Sequence, residues 1–369
     1  MRGWQGIGSV LVVVSAAVVV LPSSGVSAAA PACTGIQATA APDAGMNARF
    51  AAYGGDNTSV DDWTGADGTY STRLPDSRDV WVFSDSFLGL VNGDGSRPTD
   101  APFLNNTVVV QDAGGLVQTL HGGTQSEPTS LFVPSDGSDW YWPQEGVVEG
   151  AFLRVFLQKY MRTGPNAFDF KWVGTDIASL SLPDLTLQSI TGGPATASVT
   201  YGAAVLQRGA YTYIYGVEDG AFVNYLHLAR APAGNLLGAW EFFGPSGWSP
   251  DPADSMRLVD DVGNGLSVTR VGGRYVLITV AGSNFFGSEV VLRVACKPWG
   301  PWGPQIHVYD APEHGGGLFS YNAHAHEQFT QGGELLVSYD VNTTRAGDLW
   351  KDVTIYRPRF LRVSFQAGE

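Results

Sequence analysis

The sequence predicts an all-β chain arranged as a five-bladed β-propeller, and three observations carry that expectation. Short apolar runs of strand length recur along the chain, among them VWVFSDSF at 80–87, RYVLITVAG at 274–282 and ELLVSYDV at 334–341. The 47 glycines and 21 prolines are scattered between such runs, which marks many turns joining many strands. No window keeps apolar residues at the i, i+3, i+4, i+7 spacing for three turns without a glycine or proline, so long amphipathic helices are not expected.

Taken in order, the N-terminus reads as a processing segment. Arg2 supplies a thin positive start, and residues 10–21 form an apolar stretch too short for a comfortable membrane span. Val26-Ser27-Ala28 or Ala28-Ala29-Ala30 then offers a small-residue cleavage site. Residues 1–28 are therefore expected to be a signal peptide, with the mature protein secreted, extracellular and off the membrane. Residues 29–55 are expected to form an N-terminal segment, and 56–369 a single propeller domain, working as a monomer. Cys33 and Cys296 either pair in an oxidising compartment or stay as a terminal and a buried thiol. Cys33 as a lipid-bearing residue is disfavoured, because Ala30-Pro31-Ala32 lacks the expected aliphatic residue.

Further strand-like runs follow at 106–112, 151–160, 211–219, 224–231, 266–271, 290–296 and 360–365. Glycine-containing turns at 208–210, 272–273 and 332–333 separate paired runs and predict hairpins. The order repeats: a strand of small and polar residues, a glycine turn, an aromatic strand, then a strand ending in a Trp- and Pro-rich loop. Residues 201–243 make one such unit, 266–303 a second, and 321–342 the start of a third. Sets of about four strands at this period suggest propeller blades, with a pair of β-sandwiches as the alternative.

Composition narrows the function classes. A formal charge of −14 with only 15% charged residues argues against nucleic acid and against an anionic membrane surface. Aromatic residues reach 12%, with 11 Trp, which suits both a large β core and a surface that stacks on neutral sugars. There is no Gly-x-Ser-x-Gly elbow, no phosphate-binding Walker loop and no His-Glu-x-x-His, and nothing points to a dinucleotide cofactor.

Among polar residues, Asp85 is the most informative. It follows Val80-Trp81-Val82-Phe83-Ser84, and a carboxylate in such a run must be paired, hydrogen-bonded or open to a cleft. Asp67 lies in an Asp-Gly sequence that reads equally as a turn, and Glu145 follows Trp142-Pro143. Glycoside cleavage needs one protonated and one ionised carboxyl group, so Asp67, Asp85 and Glu145 are the candidate catalytic residues. Asn106, Trp142, Glu218, Tyr321 and His326 are candidate substrate-binding residues. Against them stand a turn-capping amide, core aromatics, a solvated turn and a hydrogen-bonded structural histidine. His324 and His326, two apart in a strand, share one face, but two histidines do not make a zinc site. No metal ligand set is expected.

Several motifs also resemble a known group. WTGADGTYSTRLPDSRDVWVFSDSFLG (63–89), YGAAVLQRGAYTYIYGV (201–217), RYVLIT (274–279) with KPWGPWG (297–303), YNAHAHEQF (321–329) and ELLVSYDVN (334–342) resemble secreted actinobacterial propeller families of formerly unknown function. Some of those contain D-arabinan-degrading glycoside hydrolases, and they are similar in blade order to five-bladed arabinanases and β-xylosidases. The resemblance runs from about Asp56 to Val363. It implies carboxylates converging at the mouth of a central cavity, with Asp67 as base and Glu145 tuning proton affinity. The expected acid position falls on Tyr201-Gly202-Ala203-Ala204, which holds no carboxylate, so Glu149, Glu218, Asp261 or Asp85 would have to substitute. It further implies a His near the cavity, here His326, able to organise substrate or a central cation such as calcium. The implied function is a secreted glycoside hydrolase acting on a furanose- or pentose-containing, arabinan-like polysaccharide or oligosaccharide. A non-catalytic carbohydrate-binding propeller is the alternative.

Overall fold

The computed structural model describes residues 36–166, 168–196, 198–282 and 287–367. The expected signal segment and Cys33 lie outside the described residues, while Cys296 is disulfide-bonded. No helix among the described residues is long and apolar enough to cross a membrane.

The fold is almost entirely antiparallel β-structure, and its main body is five sheets laid down in chain order. The first contains Tyr70–Arg73, Asp79–Phe83, Thr107–Asp112 and Gly115–Leu120. The second contains Trp140–Glu149, Phe152–Arg162, Phe170–Ser181 and Thr186–Gly192. Val199–Arg208, Tyr211–Glu218, Tyr225–Pro232 and Glu241–Gly244 begin the third, and Gly247–Ser249 extends it. The fourth contains Leu266–Val271, Arg274–Val280, Glu289–Ala295 and Ile306–Asp310. The fifth contains Leu318–Gln331, Glu334–Thr343 and Arg359–Ala367, and its outer strand is Ile36–Pro42 from the other end of the chain.

The three predicted glycine hairpins are present. Val271 pairs with Arg274 across Gly272 and Gly273, and Gln331 pairs with Glu334 across Gly332 and Gly333. Both glycines of each turn have positive φ (56° and 83°, 62° and 87°), the backbone that a two-residue type I′ turn requires.

Packing follows the same cyclic order. The first strands of the five sheets neighbour one another from first to fifth, and the fifth returns to the first. Separate apolar cores fill the gaps between consecutive sheets. Val80 and Val82 face Leu153 and Val155 of the second sheet, while Trp81 and Phe83, on the opposite face, join Leu336 and Phe360 of the fifth. Successive strand residues point to opposite sides, so a strand covered on both sides reads as a continuous apolar run. That is why VWVF shows no polar alternation.

Of residues 29–55, expected as a segment ahead of the propeller, the described part, 36–55, enters the body of the fold. Ile36–Pro42 pairs with Arg359–Ala367 along its whole length, and a helix, Ala44–Tyr53, follows. Asp43 caps that helix by accepting the Met46 N–H at 2.9 Å, and its other oxygen accepts Arg362 Nε at 2.6 Å. Met46, Phe50 and Tyr53 occupy i, i+4 and i+7 and are buried. The helix is shorter than three turns, so its periodicity is too brief to stand out in the sequence. Phe50 meets Trp81 edge-on at 5.0 Å and Trp63 at 5.7 Å between ring centroids. Replacing Phe50 by Ala is expected to lower unfolding free energy by about 3–5 kcal/mol in a single transition. Denaturant titration checks this; a loss below about 1 kcal/mol would place the helix outside the core.

Candidate active site

In each sheet the second strand ends where the first begins, as the pairing of Val199 with Glu218 and Tyr70 with Val82 illustrates. At that end of the first sheet the chain changes sheets. Trp63–Ala66 and Ser86–Leu88 belong to a small separate sheet with Phe103–Leu104, whereas Tyr70–Arg73 and Asp79–Phe83 belong to the first. Asp67 and Asp85 occupy the two crossing points. The Asp67 N–H donates to the Asp85 carbonyl at 3.1 Å, and the Ser84 N–H donates to the Asp67 carbonyl at 2.8 Å. The break in strand pairing lets an aspartate interrupt an apolar run, because its side chain leaves the core.

The two carboxyl groups are held in the same manner by different donors. Asp67 Oδ2 accepts the hydroxyls of Tyr321 at 2.5 Å and Tyr356 at 2.8 Å. Asp85 Oδ1 accepts Trp142 Nε1 at 2.8 Å and Asn105 Nδ2 at 3.1 Å. The other Asp85 oxygen has no hydrogen-bond partner among the described residues, while the Asp85 backbone N–H adds to the pull on the Asp67 carboxyl. Burial pushes Asp67 up to about 6 against the opposing pull of the tyrosine hydroxyls. Burial and then the Asp67 charge push Asp85 up to about 7, opposed by Trp142, Asn105 and the Arg162 charge.

A third carboxylate lies behind Asp67. Asp340, fully buried in the second strand of the fifth sheet, accepts the Gly68 N–H at 2.7 Å, Thr69 Oγ1 at 2.7 Å and Asn322 Nδ2 at 3.1 Å. Burial and the Asp67 charge push it up to about 7. The sequence analysis missed it, although ELLVSYD repeats the apolar-aromatic run into Asp seen in VWVFSD. Tyr356 and Asn105 were missed as well. Tyr356 sits in a short 3-10 turn, Val353–Tyr356, with no sequence signature. That turn is pinned by two buried guanidinium groups. Arg97 donates to the carbonyls of Leu349 and Val353, and Arg357 to those of Thr64, Ala51 and Gly54. Burial lowers them to about 9 and about 10 respectively.

Of the residues singled out in the sequence, Asp67, Asp85, Trp142 and Tyr321 are brought together. The Trp142 ring is further packed by Trp140, Tyr160 and Phe170. Glu145 stands at a bulge of the second sheet between Pro143 and Gly146. Its Oε2 accepts the Val205 N–H at 2.7 Å, and its Oε1 lies 3.7 Å from His324 Nε2, so it ties neighbouring sheets and makes no hydrogen bond to the aspartate pair. Asn106 is fully buried and spends its amide on the Phe132 and Tyr141 backbone, at 2.7 to 3.0 Å. Its neighbour Asn105 reaches Asp85 instead. Glu218 is gripped by Arg257 through two bonds of 2.7 Å and by His227 at 3.0 Å, with Arg257 as the leading cause holding it near 2.

The acid position expected at Gly202 is closed for a steric reason. Gly202 has φ +113°, and a Cβ there would meet Phe156 at 2.5 Å. Three of the candidate substitutes are engaged elsewhere: Glu149 accepts Leu236 N–H, Asp261 accepts Gly282 N–H and Gln305 Nε2, and Glu218 is ion-paired. The cation reading of His326 was tested by its ring. Nδ1 pairs with Ser71 Oγ at 2.6 Å and Nε2 with Ser338 Oγ at 2.9 Å, so both nitrogens are occupied and the ring does not fit a cation ligand. Among the described residues no three His, Cys, Asp or Glu side chains converge on a metal position.

Comparison with known proteins adds the family and the fold. A candidate hydrolase from Bacteroides ovatus has a similar structure, with a TM-score of 0.74 at 21% identity over 88% of this chain and 90% of that one. An exo-β-1,3-galactanase from Phanerochaete chrysosporium, solved with galactose, gives 0.50 at 12% identity over 81% of this chain and 60% of that one. Both likenesses are of fold, and the second spans less than two thirds of the galactanase. No curated protein matches the sequence. Residues 48–365 match the family described as Domain of unknown function (DUF5005), and the chain belongs to that family.

Proposed function

We propose that this chain is a secreted glycoside hydrolase whose five sheets are the blades of a propeller, with Asp67 and Asp85 as its acid–base pair. One observation carries the reading: two carboxyl groups on hydrogen-bonded backbone each have one oxygen committed to two side-chain donors, with no side-chain donor on the other among the described residues. Asp67 accepts hydrogen bonds from two hydroxyls and loses its proton first, so it supplies the negative charge that activates water or attacks the anomeric carbon. Asp85 feels that charge, keeps its proton and gives it to the departing glycosidic oxygen. Trp142 and Asn105 fix the Asp85 carboxyl so that the proton sits on the open oxygen. The acidic balance of the chain favours a neutral glycan, and the motif resemblance favours an arabinan-like one built of furanose or pentose units.

The test is reducing-end release from a panel of linear arabinan, D-arabinan, arabinoxylan and arabinogalactan. Asp67→Asn and Asp85→Asn are each expected to reduce kcat about 10²–10⁴-fold. Retention of glycans without release from any of them would replace the hydrolase with the carbohydrate-binding alternative.

The active form has Asp67 ionised, which holds above about 6, and Asp85 protonated, which holds below about 7. Activity against pH is therefore expected to form a narrow bell between those values. A flat profile from pH 5 to 9 would be incompatible with this pair.

Stability should show the converse sign. The folded-state proton affinity of Asp85 is raised above its ordinary 3.8, so its stabilising contribution is complete below that value and fades as pH rises through about 7. Asp85→Asn cannot ionise. Its melting temperature relative to the unaltered protein is expected to be higher at pH 8 than at pH 5, and an unchanged difference would contradict the burial cost.

A further inference from the structure

One fully buried carboxyl group, Asp340, touches neither Asp85 nor an open part of the site. Asp340 has no exposure and no Lys, Arg or His within salt-bridge distance among the described residues, and a lone buried carboxylate is costly unless hydrogen bonds offset it. Two of its three donors, the Gly68 N–H and the Thr69 hydroxyl, belong to the two residues immediately after Asp67. Its partner directly across the fifth sheet is Tyr321, the residue whose hydroxyl binds Asp67. The next residue, Asn322, donates to Asp340 and has a positive φ of 52°. The fifth sheet thus grips one turn of the first sheet at two adjacent points. Tyr321 takes the Asp67 side chain, and Asp340 takes the backbone and hydroxyl behind it.

We infer that Asp340 is the positioning residue of the Asp67 turn, fixing the Asp67 carboxyl through Gly68 and Thr69. This rests on the reading of Asp67 as the site base. Gly68 has φ +67°, and a Cβ there would meet the Ser84 side chain at 2.6 Å, so the turn has no room to relax toward the Asp85 side. A carboxylate suits the clamp better than an amide. Its two oxygens accept all three donors at once, whereas an amide offers one oxygen and presents its own N–H groups to a donor. The Asp67 charge in turn makes the Asp340 carboxyl harder to ionise, because a second charge in one desolvated region is disfavoured. The titratable groups whose fields meet Asp340 are Asp67, Tyr70 and Tyr321.

The experiment uses the intact chain labelled with [γ-13C]aspartate and follows carboxyl resonances against pH, with Asp67→Asn assigning the Asp67 signal. No glycan enters, so the outcome is independent of whether the protein is a hydrolase. In the unaltered protein the Asp67 signal is expected to titrate near 6. In Asp340→Asn its midpoint is expected to fall by about half a unit or more, toward the ordinary carboxylate range, as the released turn admits water to a carboxyl whose burial is the leading cause of its raised affinity. The Gly68 amide resonance should move with it. A folded Asp340→Asn protein whose Asp67 midpoint and Gly68 amide are both unchanged would overturn the inference. Thr69→Val keeps the charge and removes one donor, and serves if Asp340→Asn does not fold. It is expected to raise the Asp340 midpoint and displace the Asp67 carboxyl signal, and no change in either would overturn the inference in the same way.

Discussion

A carboxylate in a desolvated cavity costs free energy to ionise, and two on adjacent backbone cost more together than apart. Asp67 and Asp85 are such a pair, and much of the surrounding architecture offsets that cost unequally. Asp67 receives two tyrosine hydroxyls, delivered by the first strand of the fifth sheet and by the turn between its second and third strands. Asp85 receives an indole and an amide N–H, delivered by the second sheet and by the loop before Thr107–Asp112. The asymmetry separates two otherwise equivalent groups into one that releases its proton and one that retains it. Removing the donors would not empty the site of charge; it would remove the distinction on which acid–base chemistry depends.

The supporting layer obeys the same constraint. Arg97 and Arg357 are buried cations without a carboxylate within salt-bridge distance among the described residues, and both donate to backbone carbonyls instead. They order a turn whose own helical pieces are four residues each and too short to be stable alone. Tyr356 is thereby presented to Asp67 at a fixed angle. Trp142 is fixed differently, by rings on every side, with its N–H left to point at Asp85. Positioning by packing and positioning by hydrogen bonds meet at one pair of carboxyl groups.

Strands and hairpins were legible in the sequence because they are local. The singled-out runs form strands, except that 80–87 divides at Ser84-Asp85 between two strands of different sheets. The helix Ala44–Tyr53 and the use of Ile36–Pro42 in the fifth sheet were not legible, because each depends on Arg359–Ala367, more than three hundred residues away. The site divides along the same line. Asp85 was visible as a charge in an apolar run, and Asp67 by resemblance. Asp340 carried the same signal as Asp85 and went unread, although its run, ELLVSYDV, was itself marked as a strand. Asn106 and Asn105 show the limit of one-residue resolution: in extended chain neighbours face opposite ways, and only the backbone decides which reaches the cavity. Gly202 explains an absence that sequence alone could only record, for Phe156 occupies the space a side chain would need.

The fifth sheet joins the two ends of the described chain, and its latest-made parts carry Tyr321, Asp340 and Tyr356. Asp67 and Asp85 are synthesised early and their backbones can pair as soon as the first sheet forms. Until residues 321–356 arrive, however, Asp67 lacks both hydroxyl donors and the clamp behind its turn, and the gap between fifth and first sheets is open to water. The two carboxyl groups then behave as ordinary solvated acids, both ionised at neutral pH. The raised proton affinities of this pair are therefore acquired only when the fifth sheet meets the first: a partly made or partly unfolded molecule carries the two aspartates side by side as ordinary acids.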